Sequence, residues 1–240
     1  MTNHFSILNS EERKSRLERA EKPYDFSDNV AALEEEARQT WNDVSDLEAS
    51  ACPNNMAQAS ITMHPNFSAQ ADYPEEFLFV MKLTCVGVRQ VQCFPRYSTD
   101  VESDDGELTV ALIVIGKRED FQAIPEKHGK IAKDTLVGLQ IQTIESIEAV
   151  SIYDKVDVPN DYFGEFFLVG LYQTPGKTVE DSRRDFVMYA SGEGFSVHPT
   201  FLVVKDGLYY VLIKGERYKL DAIGDYCYTF TVRVPPKNRA

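Results

Sequence analysis

The chain has 240 residues, 43% of them hydrophobic and 26% charged, ordinary values for a globular protein and enough to build one large domain or two small ones. Its 25 Lys and Arg against 38 Asp and Glu leave a formal net charge of −13, which excludes nucleic acid as a partner and disfavours an anionic membrane surface. No apolar run approaches the roughly 18 residues that cross a bilayer, and the polar start MTNHFSILNSEERKSRLERAEK is no secretory signal.

Cys52, Cys85, Cys93 and Cys227 stand far apart, without a CxxC pair or a histidine at zinc-finger spacing. A disulfide, a metal and a cofactor are therefore not expected, and a reducing cytoplasm is the expected location.

The first 50 residues read as charged and helical. Residues 11–22 are helix-prone but nearly devoid of apolar side chains, so only partial order is expected. Ser27 or Asp28 can cap a helix running to about Leu47, in which Val30, Leu33, Ala37, Trp41, Val44 and Leu47 recur at steps of three and four. That stripe must lie against its own domain or a partner helix. Fewer than three heptads favour its own domain.

Beyond Pro53-Asn54-Asn55, residues 59–63 read as a strand. Asp72 can cap a helix with Pro74 near its first turn, burying Phe77, Leu78, Val80 and Met81. Residues 86–94 form the next strand, and the acidic turn at 99–106 leads into 108–115, apolar throughout and expected to be buried on both faces. Gly116 ends that strand. A helix at 118–127, interrupted by Pro125, follows, and 139–152 close this half as a strand or as helix plus strand.

The same order then returns. Residues 164–172 read as a strand, 179–190 as a helix entered through Thr178, and 196–204 as one strand. Lys205-Asp206-Gly207 marks a hairpin into 208–214, 216–223 is a short helix, and 228–234 is the last strand. Two consecutive βαββαβ orders predict an α+β fold: two tandem ferredoxin-like βαββαβ units preceded by an N-terminal helical segment. The expected boundaries are 1–52 for the charged helical segment, 53–157 for the first unit, and 158–240 for the second with an extended tail from Pro235.

Chemistry is scarce. A nucleophile elbow GxSxG is absent. His128-Gly129-Lys130 follows a proline-broken helix in charged sequence, so His128 is expected to be an exposed histidine. His64 and His198 each stand in an HPxF tetrapeptide, where a residue before proline is pushed towards extended geometry. Structural turns are the favoured reading over paired bases or metal ligands. The acidic loop of Glu102, Asp104, Asp105 and Glu107 lacks calcium-loop spacing and reads as a solvated turn. No catalytic residue is assigned.

One block carries a resemblance. Within residues 61–90, His64, Pro65, Phe67, Ala69, Tyr73, Pro74, Phe77, Leu78, Leu83, Val86, Gly87 and Arg89 follow a strand, His-Pro, aromatic, Tyr-Pro-helix and Val-Gly-x-Arg strand order. This resembles the non-catalytic N-terminal region of bacterial subtilisin-like serine proteases of the ATPase-associated type. Departures are Val88, where that family usually has Ser, and Gln70, where it has a basic residue. The resemblance implies a propeptide-like domain that binds and regulates a subtilisin-like catalytic domain, in cis as a fragment or in trans as a stand-alone relative, within a bacterial antiphage defence system. It marks His64, Pro65, Phe67, Tyr73, Pro74, Gly87 and Arg89 as the family-like, protein-binding residues. The alternative is a protein–protein adaptor that recognises an AAA-type ATPase or a defence trigger, with the helix at 30–47 as its handle. A third is a hydrolase using His64 or His198.

Overall fold

The structure, a computed structural model, describes residues 8–96, 106–205 and 207–236. Most of the expected acidic turn, Glu102, Asp104 and Asp105 among it, lies outside the described residues, as do Asp206 and residues 237–240. The chain is α+β, with helices and antiparallel sheets, and divides into two units: Met1–Asp46 with Ala57–Ala149, and Leu47–Met56 with Val150–Ala240. The N-terminal helices thus belong to the first unit, and residues 47–52 to the second.

In the first unit α1 (Ser10–Arg19) opens with a reciprocal cap between Asn9 and Glu12. Partial order was the expectation here; charge supplies what apolar surface does not. Arg13 reaches Glu75 at 2.9 Å and Glu76 at 2.6 Å, Arg16 reaches Asp72 at 2.7 Å, and Leu17 is buried. Asp25, rather than Ser27 or Asp28, caps α2 (Phe26–Ser45), its carboxylate accepting the Ser27 N–H at 2.9 Å. Leu33, Ala37 and Val44 of α2 are buried within this unit, so the stripe is covered and offers no free handle.

Next come β1 (Met56–Met63), α3 (Glu75–Met81), β2 (Thr84–Cys93) and β3 (Glu107–Lys117). Asp72 does not cap α3, because Arg16 holds its buried carboxylate. The Phe77 N–H instead finds Gln140 Oε1 at 2.8 Å, and Gln140 Nε2 donates to Glu76 at 2.7 Å, a long-range substitute for a cap. Phe77, Leu78 and Met81 are buried as expected; Val80 is 38% exposed, lying on the outer side of this short helix.

Pro125 splits the following helix into α4 (Arg118–Gln122) and α5 (Ile124–His128), and it sits in the first turn of α5, where its missing N–H costs nothing. The new helix turns His128 inward. Contrary to the sequence expectation His128 is only 1% exposed, with its ring centre 5.7 Å from that of Phe77 and neither ring nitrogen hydrogen-bonded. Burial pushes its pKa down to about 4. After α6 (Leu136–Ile141) comes β4 (Ile144–Ala149), and the sheet runs in the order β2-β3-β1-β4.

The second unit begins with β5 (Val156–Asp157), β6 (Phe166–Tyr172) and α7 (Val179–Gly192), which Thr178 caps by accepting the Asp181 N–H at 3.1 Å. The single strand expected at 196–204 is broken into β7 (Ser196–Val197) and β8 (Val203–Lys205). Pro199 has no N–H to give a ladder, and the His198 Nδ1 takes the Phe201 N–H at 3.1 Å. Then come β9 (Leu208–Lys214), α8 (Leu220–Asp225) and β10 (Thr229–Arg233). The sheet order is β5-β10-β6-β9-β7, with β8 also on β9. Its core holds Phe167, Val169, Leu171, Phe186, Val211, Ile213, Ile223 and Val232.

His128 makes folding sensitive to acid. Its pKa lies near 6.5 unfolded and about 4 folded, so between those values the unfolded chain binds more protons and stability falls as pH falls. The His128 contribution, about 3 kcal/mol, is fully present above pH 6.5 and gone near pH 4. Urea midpoints taken near neutrality and near pH 5 should differ accordingly, and His128→Leu should shrink that difference.

Candidate functional site

The family-like residues separate into two groups. His64 ends β1 and caps the 3-10 turn Pro65–Phe67: its Nδ1 accepts the Asn66 N–H at 3.2 Å, and its own N–H donates to the Thr143 carbonyl at 2.9 Å. Pro65 suits the first position of that turn, and Phe67 is buried beside the imidazole, ring centres 6.5 Å apart. The second group is bound through Cys85. Tyr73 is buried before α3, with its pKa raised by burial and then by its interaction with the Cys85 thiol. That thiol donates to the Gly87 carbonyl at 3.2 Å, at a bulge in β2. Pro74 is the buried residue that starts α3, and Arg89 lies on β2 opposite Ala111.

Around His64 stands a cluster of polar side chains from distant parts of the first unit. Glu145, the second residue of β4, is 5% exposed. It accepts the Tyr24 hydroxyl and, at 2.9 Å, the Arg96 backbone N–H. The Arg96 guanidinium lies 3.5 Å from Glu145 and 3.7 Å from Glu36, stacks over the Tyr24 ring at 5.1 Å, and donates to the Glu145 carbonyl. The Tyr24 ring meets the His64 ring edge-on at 5.5 Å. Burial, then the bond to Glu145, raises the Tyr24 pKa; burial raises that of Glu36 and lowers that of His64.

Imidazole, carboxylate and hydroxyl are thus neighbours, but not in catalytic order. A triad places the carboxylate on one imidazole nitrogen and the nucleophile on the other. Here the carboxylate takes the hydroxyl directly, and the His64 Nδ1 is committed to a backbone amide. The cluster is a structural knot. In the second unit the His198 Nδ1 likewise takes a backbone N–H, that of Phe201 three residues on rather than two, with its ring edge-on to Phe201 at 6.5 Å. Among the described residues no group of three or more His, Cys, Asp or Glu could hold a metal ion, and no helix is long and apolar enough to cross a membrane.

Sequence reasoning found His64 but missed Tyr24, Glu36, Arg96 and Glu145. The available signal was Glu145 itself, a charge between Ile144 and Ile147 in a strand that buries. Its partners lie so far along the chain that spacing carries no trace of them.

The second unit has an open groove of about 570 Å³ lined by Phe163, Glu165, Lys214, Arg217 and Tyr218 among others. Phe163 is 93% exposed and Tyr218 76%. Arg217 holds the preceding loop, donating to the carbonyls of Val158 at 3.0 Å and Asn160 at 3.1 Å.

Glu145→Ala would remove the carboxylate that accepts the Tyr24 hydroxyl and the Arg96 backbone N–H, leaving Arg96 only the more distant Glu36 as an ionic partner, and should cost about 3 kcal/mol. His64→Ala removes a turn cap and should cost about 1 kcal/mol. Urea unfolding of the two variants should rank them in that order; the reverse ranking would make His64 the centre of the knot. No protein-family model matches this chain, and no curated protein matches it either.

Proposed function

We propose that each unit is a ferredoxin-like βαββαβ fold and that the chain is a non-catalytic, propeptide-like module that binds and regulates a subtilisin-like serine protease domain, in cis or in trans, in the cytoplasm. The fold reading rests on strand order. Counting each unit's own strands, the first has 2-3-1-4, and in the second β10, β6, β9 and β7 stand as fourth, first, third and second. The neighbours β1–β4, β2–β3, β6–β9, β6–β10 and β7–β9 are antiparallel, as that fold requires. In the second unit β5 is an addition, parallel to β10.

The observation that carries the functional reading is the family-like block from His64 to Arg89, whose residues here make turns and packing rather than a reactive centre. A regulatory domain needs rigid surfaces, and the second unit offers Phe163 and Tyr218 as exposed aromatic anchors flanking Lys214 and Arg217. The adaptor reading, with an AAA-type ATPase or a defence trigger as partner, loses its handle, since α2 is packed in its own unit. Such a partner would have to meet another surface.

Mixing the purified chain with a subtilisin-like catalytic domain at micromolar concentration should give a complex by calorimetry and a changed rate of peptide hydrolysis. Phe163→Ser with Tyr218→Ser should weaken that complex about tenfold or more. No complex and unchanged proteolysis would discard the regulatory reading.

A further inference from the structure

The two edges of the first unit's sheet are treated differently. The β4 edge is closed by α2: Glu36 accepts the Ile147 N–H at 3.0 Å, Thr40 Oγ1 donates to the Ile147 carbonyl at 3.1 Å, and Asn29 Nδ2 donates to the Ile144 carbonyl at 3.1 Å. These side chains stand where a neighbouring strand would bond. The opposite edge is β2, which among the described residues pairs with β3 alone. It runs through TCVGVRQVQC with no proline and a single charge, Arg89. Val88 is 44% exposed, and Gln90 and Gln92 are exposed. Natural sheets usually blunt such an edge with charge, proline or a covering element. This one is left able to accept another strand.

The pattern within β2 selects the partner. Its only register shift falls between Cys85 and Gly87, and from Gly87 to Cys93 the pairing with β3 is regular. The middle of that regular stretch is Gln90. When two copies of one strand pair antiparallel about a two-fold axis through a residue, that residue faces its own mate, so its side chain must complement itself. A glutamine amide does so, carrying both donors and an acceptor. In the same register Arg89 faces Val91 of the other copy, Val88 faces Gln92, and Gly87 faces Cys93. Like charges never meet.

We propose that two copies of this chain join through their β2 edges, antiparallel and centred on Gln90, to make one continuous sheet from the two first units. The net charge of −13 on each copy opposes the encounter, so ionic strength should promote the pairing. This interface is independent of any protease partner and stands or falls separately.

Sedimentation equilibrium of the full chain across a range of salt measures it. Expected is a monomer–dimer equilibrium that shifts towards dimer as salt rises. Gln90→Glu, isosteric on an exposed position, sets two carboxylates face to face and should weaken association at least tenfold near neutral pH, with recovery when the carboxylates are protonated. Gln90→Asn keeps the self-complementary amide and should retain the dimer. A chain that stays monomeric at every salt and concentration overturns the proposal, leaving the edge to a foreign strand. So does a dimer indifferent to Gln90→Glu. Circular dichroism matching that of the parent chain separates loss of pairing from loss of fold.

Discussion

A carboxylate taken out of water must be matched by donors, and Glu145 obtains them from two separate earlier segments of the chain. Tyr24 comes from the segment before α2, and Arg96 from just beyond β2. Burial of the carboxylate depends on both, which ties the N-terminal segment and the end of the edge strand β2 to β4. Arg96 then draws in Glu36, and Glu36 in turn reaches the β4 backbone. The knot and the sealing of β4 are one connected network.

Charge plays the same organising part at α1. This helix has little apolar surface, yet Arg13 and Arg16 dock it on Asp72, Glu75 and Glu76. Arg13 is buried, which makes its two carboxylate partners a structural requirement rather than a surface ornament. The same carboxylates sit at the start of α3, where they suit the positive end of the helix. At this helix two arginines hold three carboxylates, Arg13 two of them and Arg16 one.

The two HPxF sites use histidine in a similar way in different turns. Each histidine turns its Nδ1 back to a backbone amide, and each phenylalanine meets the imidazole edge-on. One turn ends a strand; the other splits a strand in two. The proline explains both outcomes, since it removes a ladder donor wherever it falls. Histidines in such turns are spent on geometry, which is why neither motif yields a base.

Periodicity, caps and breakers determined many of the elements: the α2 stripe, Thr178 at the head of α7, the interruption at Pro125 and the mix of helices and strands were legible because each depends on residues within a turn or two of one another. Two of the readings that changed did so because a local rule met a distant competitor. Asp72 has the chemistry of a cap, but Arg16 claims it; His128 stands among charges in the sequence, but α5 turns it against Phe77. The partners of Glu145 and the contrast between a sealed β4 and an open β2 were likewise decided only in three dimensions. Local propensity acts over a few residues, whereas the pairing of buried charges and the closure of sheet edges join groups that the chain brings together only after its elements have packed.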